Sequence, residues 1–461
     1  MSNPITARRA LAATASVGAL LAMTACSSGG TTTTTTGSGS TTSASADCAA
    51  YTQYGDLKGK TVTVYTSISS DAEANPQKDS YKPFEQCTGA TIKYEGSSDF
   101  ESQLPVRIKA GNAPDIAYIP QPGLLNTLAK QNPGKIVEVG SAAAANVDKY
   151  YAEEWQSYGT VDGKFLATPL GANVKSFVWY SPKVFKEKGY TIPKTWDELI
   201  TLSNKIAADY PNAKAWCAGF ESGTATGWPG TDWIEDMMLR SNTPEDYDNW
   251  VAGKLKFADP KVQAAFAMAA EILKNDKLID VKSIATTNFK DGGLGILDGS
   301  CFLHRQASFY QANWSAAKKD VKVAEDGDVF AFYLPAKTAD VKPVLGGGEF
   351  VTAFRNAPEV QAFQAYLTSP EWSNNKAKAT PEGGWLSANT GLDVNNLTSP
   401  VDKLSAQLLT DKAAVFRFDG SDMMPSAVGA GTFWKGMTDW VSIDKSSAQV
   451  AAEIDASWPK S

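Results

Sequence analysis

Polar and apolar positions alternate with a period of two through "KTVTVYTS" (60–67) and "TIKYEGS" (91–97), which predicts two half-buried strands. Between them "YKPFEQCTGA" reads as the end of a helix with its C-terminal glycine. "DFESQLPVRIKAG" is a helix, and "PDIAYIP" (114–120) is a third strand. Strands alternating with helices at this spacing predict a parallel α/β sheet. Ligands bind such sheets beyond the carboxyl ends of the strands. The loops Ser67–Ser70, Ser98–Asp99 and Gln121–Gly123 are therefore candidate ligand contacts. Further on, "KFLATPLGANVKSFVWYSPKVFKEKGY" (164–190) carries two extended runs into a helix. In "IPKTWDELITLSNKIA" (192–207) Thr195 is placed to cap a helix, with Glu198 completing a capping box. "DWIEDMML" reads as helix and "LGILDGSCFL" as strand.

The first 47 residues break this pattern. Arg8 and Arg9 precede an apolar run from Ala10 to Ala22, and small residues follow, which is the layout of a secretory signal covering 1–25. The ending "LLAMTAC" resembles the lipobox of bacterial lipoproteins, in which Cys26 is acylated and becomes the mature N-terminus. Residues 27–47, "SSGGTTTTTTGSGSTTSASAD", contain no large apolar side chain and predict a disordered tether. No other segment approaches the ~18 consecutive apolar residues of a spanning helix, so the rest of the chain is expected outside the cell on the membrane's extracellular face.

An even set of cysteines remains beyond Cys26: Cys48, Cys87, Cys217 and Cys301. In an oxidising compartment they predict two disulfides, with three pairings open. No Cys-x-x-Cys occurs and His304 is the single histidine, so a zinc site is not expected. Roughly 410 residues beyond the tether exceed one ordinary core and predict two domains. The net charge of −7 is interspersed, without a basic stripe, which argues against nucleic acid as a partner. The chain holds 13 tryptophans, more than a core needs when aliphatics are available, so some rings are expected to face a ligand.

Taken in order, Pro114-Asp115-Ile116, "PLGANVKSFVWY", "TWDEL", "GWPGTDWIED", "GGGEFV" (346–351) and "FDGSDMMP" (418–425) resemble the extracellular solute-binding proteins of ABC importers. The subfamily for α-glucosides and related oligosaccharides is the most similar. The resemblance implies a two-lobed α/β fold of the maltose-binding-protein type with a central ligand cleft. It also implies a carbohydrate ligand, permease subunits as partners, a monomer, and no cofactor. Projected onto this sequence, lobe one takes 48–171 and 349–381, and lobe two takes 172–348 and 382–461. Hinge crossings then fall at Ala172–Val174, Gly346–Gly348 and Glu382–Gly384. Under this partition Cys48–Cys87 and Cys217–Cys301 are the favoured pairs, each within one lobe.

A sugar ring presents C–H faces and a rim of hydroxyls, so its site needs flat aromatics together with carboxylates and amides. Trp228, between Gly227 and Pro229, is read as a platform on a loop, whereas Trp233 is the weaker choice because its ring suits core packing. Trp385 in "EGGWLSANTG" is a second aromatic on a glycine-rich turn. Trp434 in "GTFWKGM" matches the family's C-terminal stacking aromatic, or else packs in the core. Asp99 and Asp232 each read equally as helix caps or hydroxyl contacts. Gln121, past the third strand, Asn173, at a crossing, and Glu349, after three glycines, are read as ligand contacts. Of Arg417, Asp419 and Asp422, one Arg–Asp pair is expected to be structural and Asp422 to face the cleft. His304, beside Arg305, is read as a surface residue, with the cleft as the alternative.

Enzyme motifs fail on spacing. "GDLKGKT" (55–61) is one residue short of a phosphate loop and precedes its strand. "LDVNNL" is too sparse for a calcium loop, and no G-x-S-x-G is present. A secreted glycosidase remains the alternative, because carboxylates and tryptophans suit that chemistry too.

Overall fold

The computed structural model describes residues 48–442 and 445–460; the expected signal at 1–25 and the Cys26 tether at 26–47 lie outside the described residues. A five-stranded sheet runs in the order Thr91–Gly96, Thr61–Thr66, Ile116–Ile119, Phe350–Ala353, Ala167–Pro169. The first three strands are parallel, as the alternation with helices predicts, and Phe350–Ala353 enters antiparallel to both of its neighbours. A four-stranded sheet runs Phe330–Tyr333, Phe177–Tyr180, Cys301–Arg305, Lys214–Cys217. Between them lies a three-stranded sheet in which Lys342–Gly347 pairs parallel with Ala414–Phe418 and antiparallel with Asn173–Val174. The chain crosses from the first sheet to the third through Leu170–Ala172 and returns through Gly348–Glu349. The sheets and the crossings between them agree with the two-lobed α/β fold that the resemblance implies.

Packing explains most of the tryptophans. Trp179, Trp216, Trp233, Trp250 and Trp314 are fully buried in one large core, and Trp372 is buried in another with Phe363 and Tyr366. Trp233 meets Trp216 edge to face at 5.5 Å, so it is core. The Thr195 side chain accepts from the Glu198 amide at 3.3 Å, but the Glu198 carboxylate takes the Lys194 amide at 2.6 Å, one residue before the cap, so the box is only half formed. "LGILDGSCFL" also differs from expectation. Leu294–Leu297 is a 3-10 turn, and the strand begins only at Cys301, because Asp298–Ser300 turns the chain and Asp298 accepts the Ser300 amide.

Disulfides join Cys48 to Cys87 and Cys217 to Cys301, with Cα atoms 5.3 and 5.6 Å apart. No helix among the described residues is long and apolar enough to cross a membrane.

Candidate functional site

The helix Trp228–Ser241 contributes its first residue, Trp228, to one wall of a cleft of about 430 Å³. It starts at Gly227, whose φ of 111° suits only glycine and where an added methyl would stand 2.1 Å from the Trp434 carbonyl oxygen. Trp228 thus occupies the first helical position rather than a loop, half-buried, with its ring 5.3 Å from Phe289 and 6.0 Å from Phe309. One turn on, the helix buries Asp232, Glu235, Asp236 and Arg240. Lys175 donates to Asp232 at 3.0 Å and to Asp419, and its ammonium lies 5.3 Å from the Trp228 ring centroid. Arg305 bridges Asp232 at 3.1 Å and Asp236 at 2.9 Å. Glu235 accepts the amides of Gly420 and Ser421, each at 3.0 Å. Asp232, Glu235 and Asp419 bring their oxygens within 4.8 Å of one another, as a metal site would, yet Lys175 and backbone amides already satisfy that cluster. The network pins the turn 419–422 and the strand leading to Lys175 onto one helix.

The opposite wall comes from the first sheet. Ser67, Ser69, Ser98 and Gln121, at the carboxyl ends of its parallel strands, line the cleft with Glu73 and Glu101. Burial raises both of these carboxyls, although Ser70 donates to Glu73 at 2.6 Å and Gln121 donates to Glu101 at 3.3 Å. A polar corner completes the cleft where Glu349, Lys376 and Trp385 meet. A methyl added at Gly171 would touch Glu349 Oε2 at 2.7 Å and Trp385 Nε1 at 3.5 Å, which places both side chains against the crossing at Gly171. Burial, with repulsion from Glu73, pushes the Glu349 carboxyl up to about 7. Burial drives the Lys376 ammonium down to about 7. Trp385 leans edge to face on Trp372 at 5.5 Å, and its loop is tied by the Gly384 amide to both oxygens of Asp402 at 3.1 Å.

Gln121, Asn173, Trp228, Glu349, Trp385 and Asp422 all line this one cleft, and so does Trp434. Trp434 is 3% exposed and follows a π-helical turn, Val428–Phe433, that aims it inward. Burial beside the Asp419 carboxylate holds the Asp422 carboxyl well above its usual range. Asp99 falls elsewhere: it sits exposed at the start of the helix Phe100–Ala110, makes no side-chain cap bond, and does not line the cleft. Asp232 is no cap and no lining residue, because Lys175 and Arg305 hold it beneath the wall. Arg417 pairs with Asp248 at 2.6 Å rather than with an aspartate of its own motif. His304 is buried, not a surface residue; its Nδ1 meets the Cys217 carbonyl at 3.0 Å, and burial drives its imidazole down to about 4. The sequence reading did not single out Lys175, Lys376, Glu73, Glu101 and Phe289. A lysine inside the apolar run "ANVKSFVW" was the one available signal, since burying an ammonium requires paired carboxylates.

The profile of the bacterial extracellular solute-binding protein family matches residues 66–374. The osmoprotective compounds-binding protein GgtB of Synechocystis sp. is 37% identical over 412 residues, covering 88% of this chain and 94% of the relative. The alpha-glucosides-binding periplasmic protein AglE of Rhizobium meliloti is 37% identical over 421 residues, covering 87% and 88%. Among solved structures, the solute receptor AcbH superposes with a TM-score of 0.72 over 86% of this chain and 98% of its own, at 17% identity. Maltose-bound MalE3 of T. maritima superposes with a TM-score of 0.65 over 86% and 98%, at 15% identity. Those two likenesses speak for the fold alone. The two relatives are binding proteins by name, which removes the glycosidase alternative. The chain belongs to the bacterial extracellular solute-binding proteins, the receptors that serve ABC importers, and it holds its solute without transforming it.

Proposed function

We propose that this receptor captures an α-linked di- or oligosaccharide, an α-glucoside of the maltose or trehalose type, and delivers it to the permease. One observation carries the reading. Trp228, Trp385 and Trp434 line the same cleft as the amides of Gln121 and Asn173 and the carboxyls of Glu73, Glu101 and Glu349. Aromatic faces beside convergent amides and carboxyls suit a ligand that brings hydroxyls as well as C–H faces. Its volume lies within the range of about 300–1,000 Å³ of small-molecule sites. The charges favour a neutral ligand. Of the lysines in the lining, Lys175 is committed to two aspartates and burial drives Lys376 down to about 7, while burial also raises the Glu73, Glu101, Glu349 and Asp422 carboxyls towards their neutral form. The name of AglE, an alpha-glucosides-binding protein, agrees in ligand class.

Lobes 48–171 with 349–381 and 172–348 with 382–461 close around the sugar by bending at 172–174, 346–348 and 382–384. Near-complete closure needs a preference for the closed state on the order of 5 kcal/mol. Cys26 carries the lipid anchor, and the tether of about 20 residues holds a monomeric receptor some 25 Å off the membrane. A thermal-shift panel of α-glucosides, β-glucosides, pentoses and polyols tests the ligand. A true ligand at 100 times its Kd adds about 2.7 kcal/mol of stability, and a panel without any response rejects the reading. Cys26→Ala should release the protein from membranes with unchanged affinity, and retention on membranes rejects the anchor.

A further inference from the structure

Three contacts hold the ring of Trp385 in the cleft. It leans edge to face on Trp372 at 5.5 Å, its Nε1 lies against the crossing at Gly171, and the Lys376 ammonium stands 5.8 Å from its ring centroid. They fix the ring only if the backbone that carries it is fixed too. That backbone has little stiffness of its own, because Gly383 and Gly384 precede the tryptophan with φ of +77° and +95°, where glycine moves freely.

The restraint comes from residues distant in the chain. Thr398 Oγ1 donates to the Pro381 carbonyl at 2.7 Å, Gln311 donates to the Glu382 carbonyl, and Ser399 donates to Gln311 at 2.6 Å. Beyond the tryptophan, the Ala172 amide donates to the Leu386 carbonyl at 2.9 Å. Between these anchors the Gly384 amide donates to both carboxylate oxygens of Asp402, each at 3.1 Å.

Asp402 is 3% exposed and sits in the first turn of the helix Pro400–Thr410. Ser399 caps that helix by accepting the amides of Val401 and Asp402. An acidic residue three positions after a cap can turn back to the cap's own amide and complete a capping box, as Asp246 does behind Thr243. Asp402 reaches across to Gly384 instead. Burial pushes its carboxyl up to about 7, although the amides of Gly384 and Trp385 draw it down. The carboxylate therefore gives the fold less than an ordinary cap would, and what it does fix is the turn just before Trp385.

We propose that Asp402 is a positioning residue of the cleft: by taking the Gly384 amide it sets the Trp385 ring where a sugar meets it. This rests on the saccharide reading above, in which Trp385 supplies one of the aromatic faces. A loop ordered in advance spares the ligand the cost of ordering it, so the aspartate acts on affinity without touching the ligand.

The test titrates maltose and trehalose by calorimetry into the wild type, Asp402→Ala and Asp402→Asn. Alanine keeps the helix and leaves the Gly384 amide without its acceptor, whereas asparagine keeps one acceptor oxygen. Melting curves set the titrations at a temperature where every variant is folded, and hydrogen exchange of the ligand-free proteins reads the Gly384 amide. In Asp402→Ala that amide should exchange at least tenfold faster and the sugar should bind at least fivefold more weakly. Asp402→Asn should stay within twofold of the wild type in both readouts. In a Trp385→Ala background, Asp402→Ala should weaken binding less than twofold further, because its effect runs through the ring. Unchanged affinity in Asp402→Ala, an asparagine variant as weak as the alanine one, or the same loss with and without the Trp385 ring overturns the positioning role and leaves the saccharide reading intact. If neither sugar binds the wild type, the saccharide reading falls and the positioning role with it.

Discussion

Replacing Lys175 by methionine keeps the apolar stem of the side chain and removes the ammonium that lies 5.3 Å from the Trp228 ring centroid. The ammonium is 7% exposed and pairs with Asp232 and Asp419, whose side chains are 0% and 2% exposed. Removing one partner of a buried ion pair typically costs about 3–5 kcal/mol, because the other charge stays buried without compensation. Two facts place this case at the low end. Arg305 still reaches Asp232 at 3.1 Å, and Asp419 still accepts the Ser421 hydroxyl and the Asp422 amide, each at 2.8 Å. The expected loss is therefore about 3 kcal/mol, a large share of the ~5–15 kcal/mol typical of a folded domain. Urea unfolding followed by tryptophan fluorescence measures it, with the m-value unchanged. Adding Asp419→Asn should return at least about 1 kcal/mol, since the stranded charge is then gone. The pH dependence follows from the sign of the pairing. In the wild type Lys175 holds Asp419 below its usual range, so that pairing stabilises above the unfolded value and fades as acid reaches the folded one. In Lys175→Met the buried carboxylates instead bind protons more readily folded than unfolded, so the deficit should shrink as pH falls from 7 towards 4.5. A loss below 1 kcal/mol, or a double variant whose losses simply add, refutes the reasoning.

Trp228→Ala should weaken sugar binding by more than tenfold, the scale of a lost aromatic anchor of about 2 kcal/mol. It should also cost about 1–3 kcal/mol of stability through the contacts with Phe289 and Phe309. Unchanged affinity in the folded fraction would make the ring packing alone. Glu349, with a folded value of about 7 against an ordinary 4.5, loses its proton first in the unfolded chain, so wild-type stability falls as pH rises between these values. Glu349→Gln should gain on the wild type from pH 5 to pH 8, and parallel melting curves would contradict this. Opening either disulfide by paired serine substitution should cost about 4 kcal/mol, because the closed loops span 39 and 84 residues; melting temperatures that do not move would remove both bridges from the stability of the fold.

Local pattern carried much of the fold. The alternation of Val62 and Val64 with threonines yields a strand with those valines buried, and the parallel partners follow at Thr91–Gly96 and Ile116–Ile119. Residues at strand ends and crossings were legible for the same reason: Gln121 and Glu349 sit where an α/β sheet exposes its carboxyl edges. Proximity across the chain was not legible. Lys175 meets Asp419 across 244 positions, and Lys376 reaches Glu349 and Trp385 from a helix whose sequence, "PEWSNNKAKA", looks like an ordinary solvated face. Asp232 and Asp99 misled because an aspartate at a helix start looks the same as a cap, a ligand contact or half of a buried pair until its partner is in place. Trp228 was read as a loop residue from its glycine and proline neighbours, yet proline is equally at home in a helix's first turn.

The central claim is that this cleft recognises a neutral sugar. The most direct test is a calorimetric titration of trehalose against trehalose 6-phosphate under identical low-salt conditions. Because Lys175 is committed to two aspartates and burial drives the Lys376 ammonium down to about 7, the site offers an anion little pairing, and the account predicts saturable one-to-one binding of the neutral sugar and at least tenfold weaker binding of its phosphate. A phosphate that binds as tightly as the parent sugar, or more tightly, would contradict it.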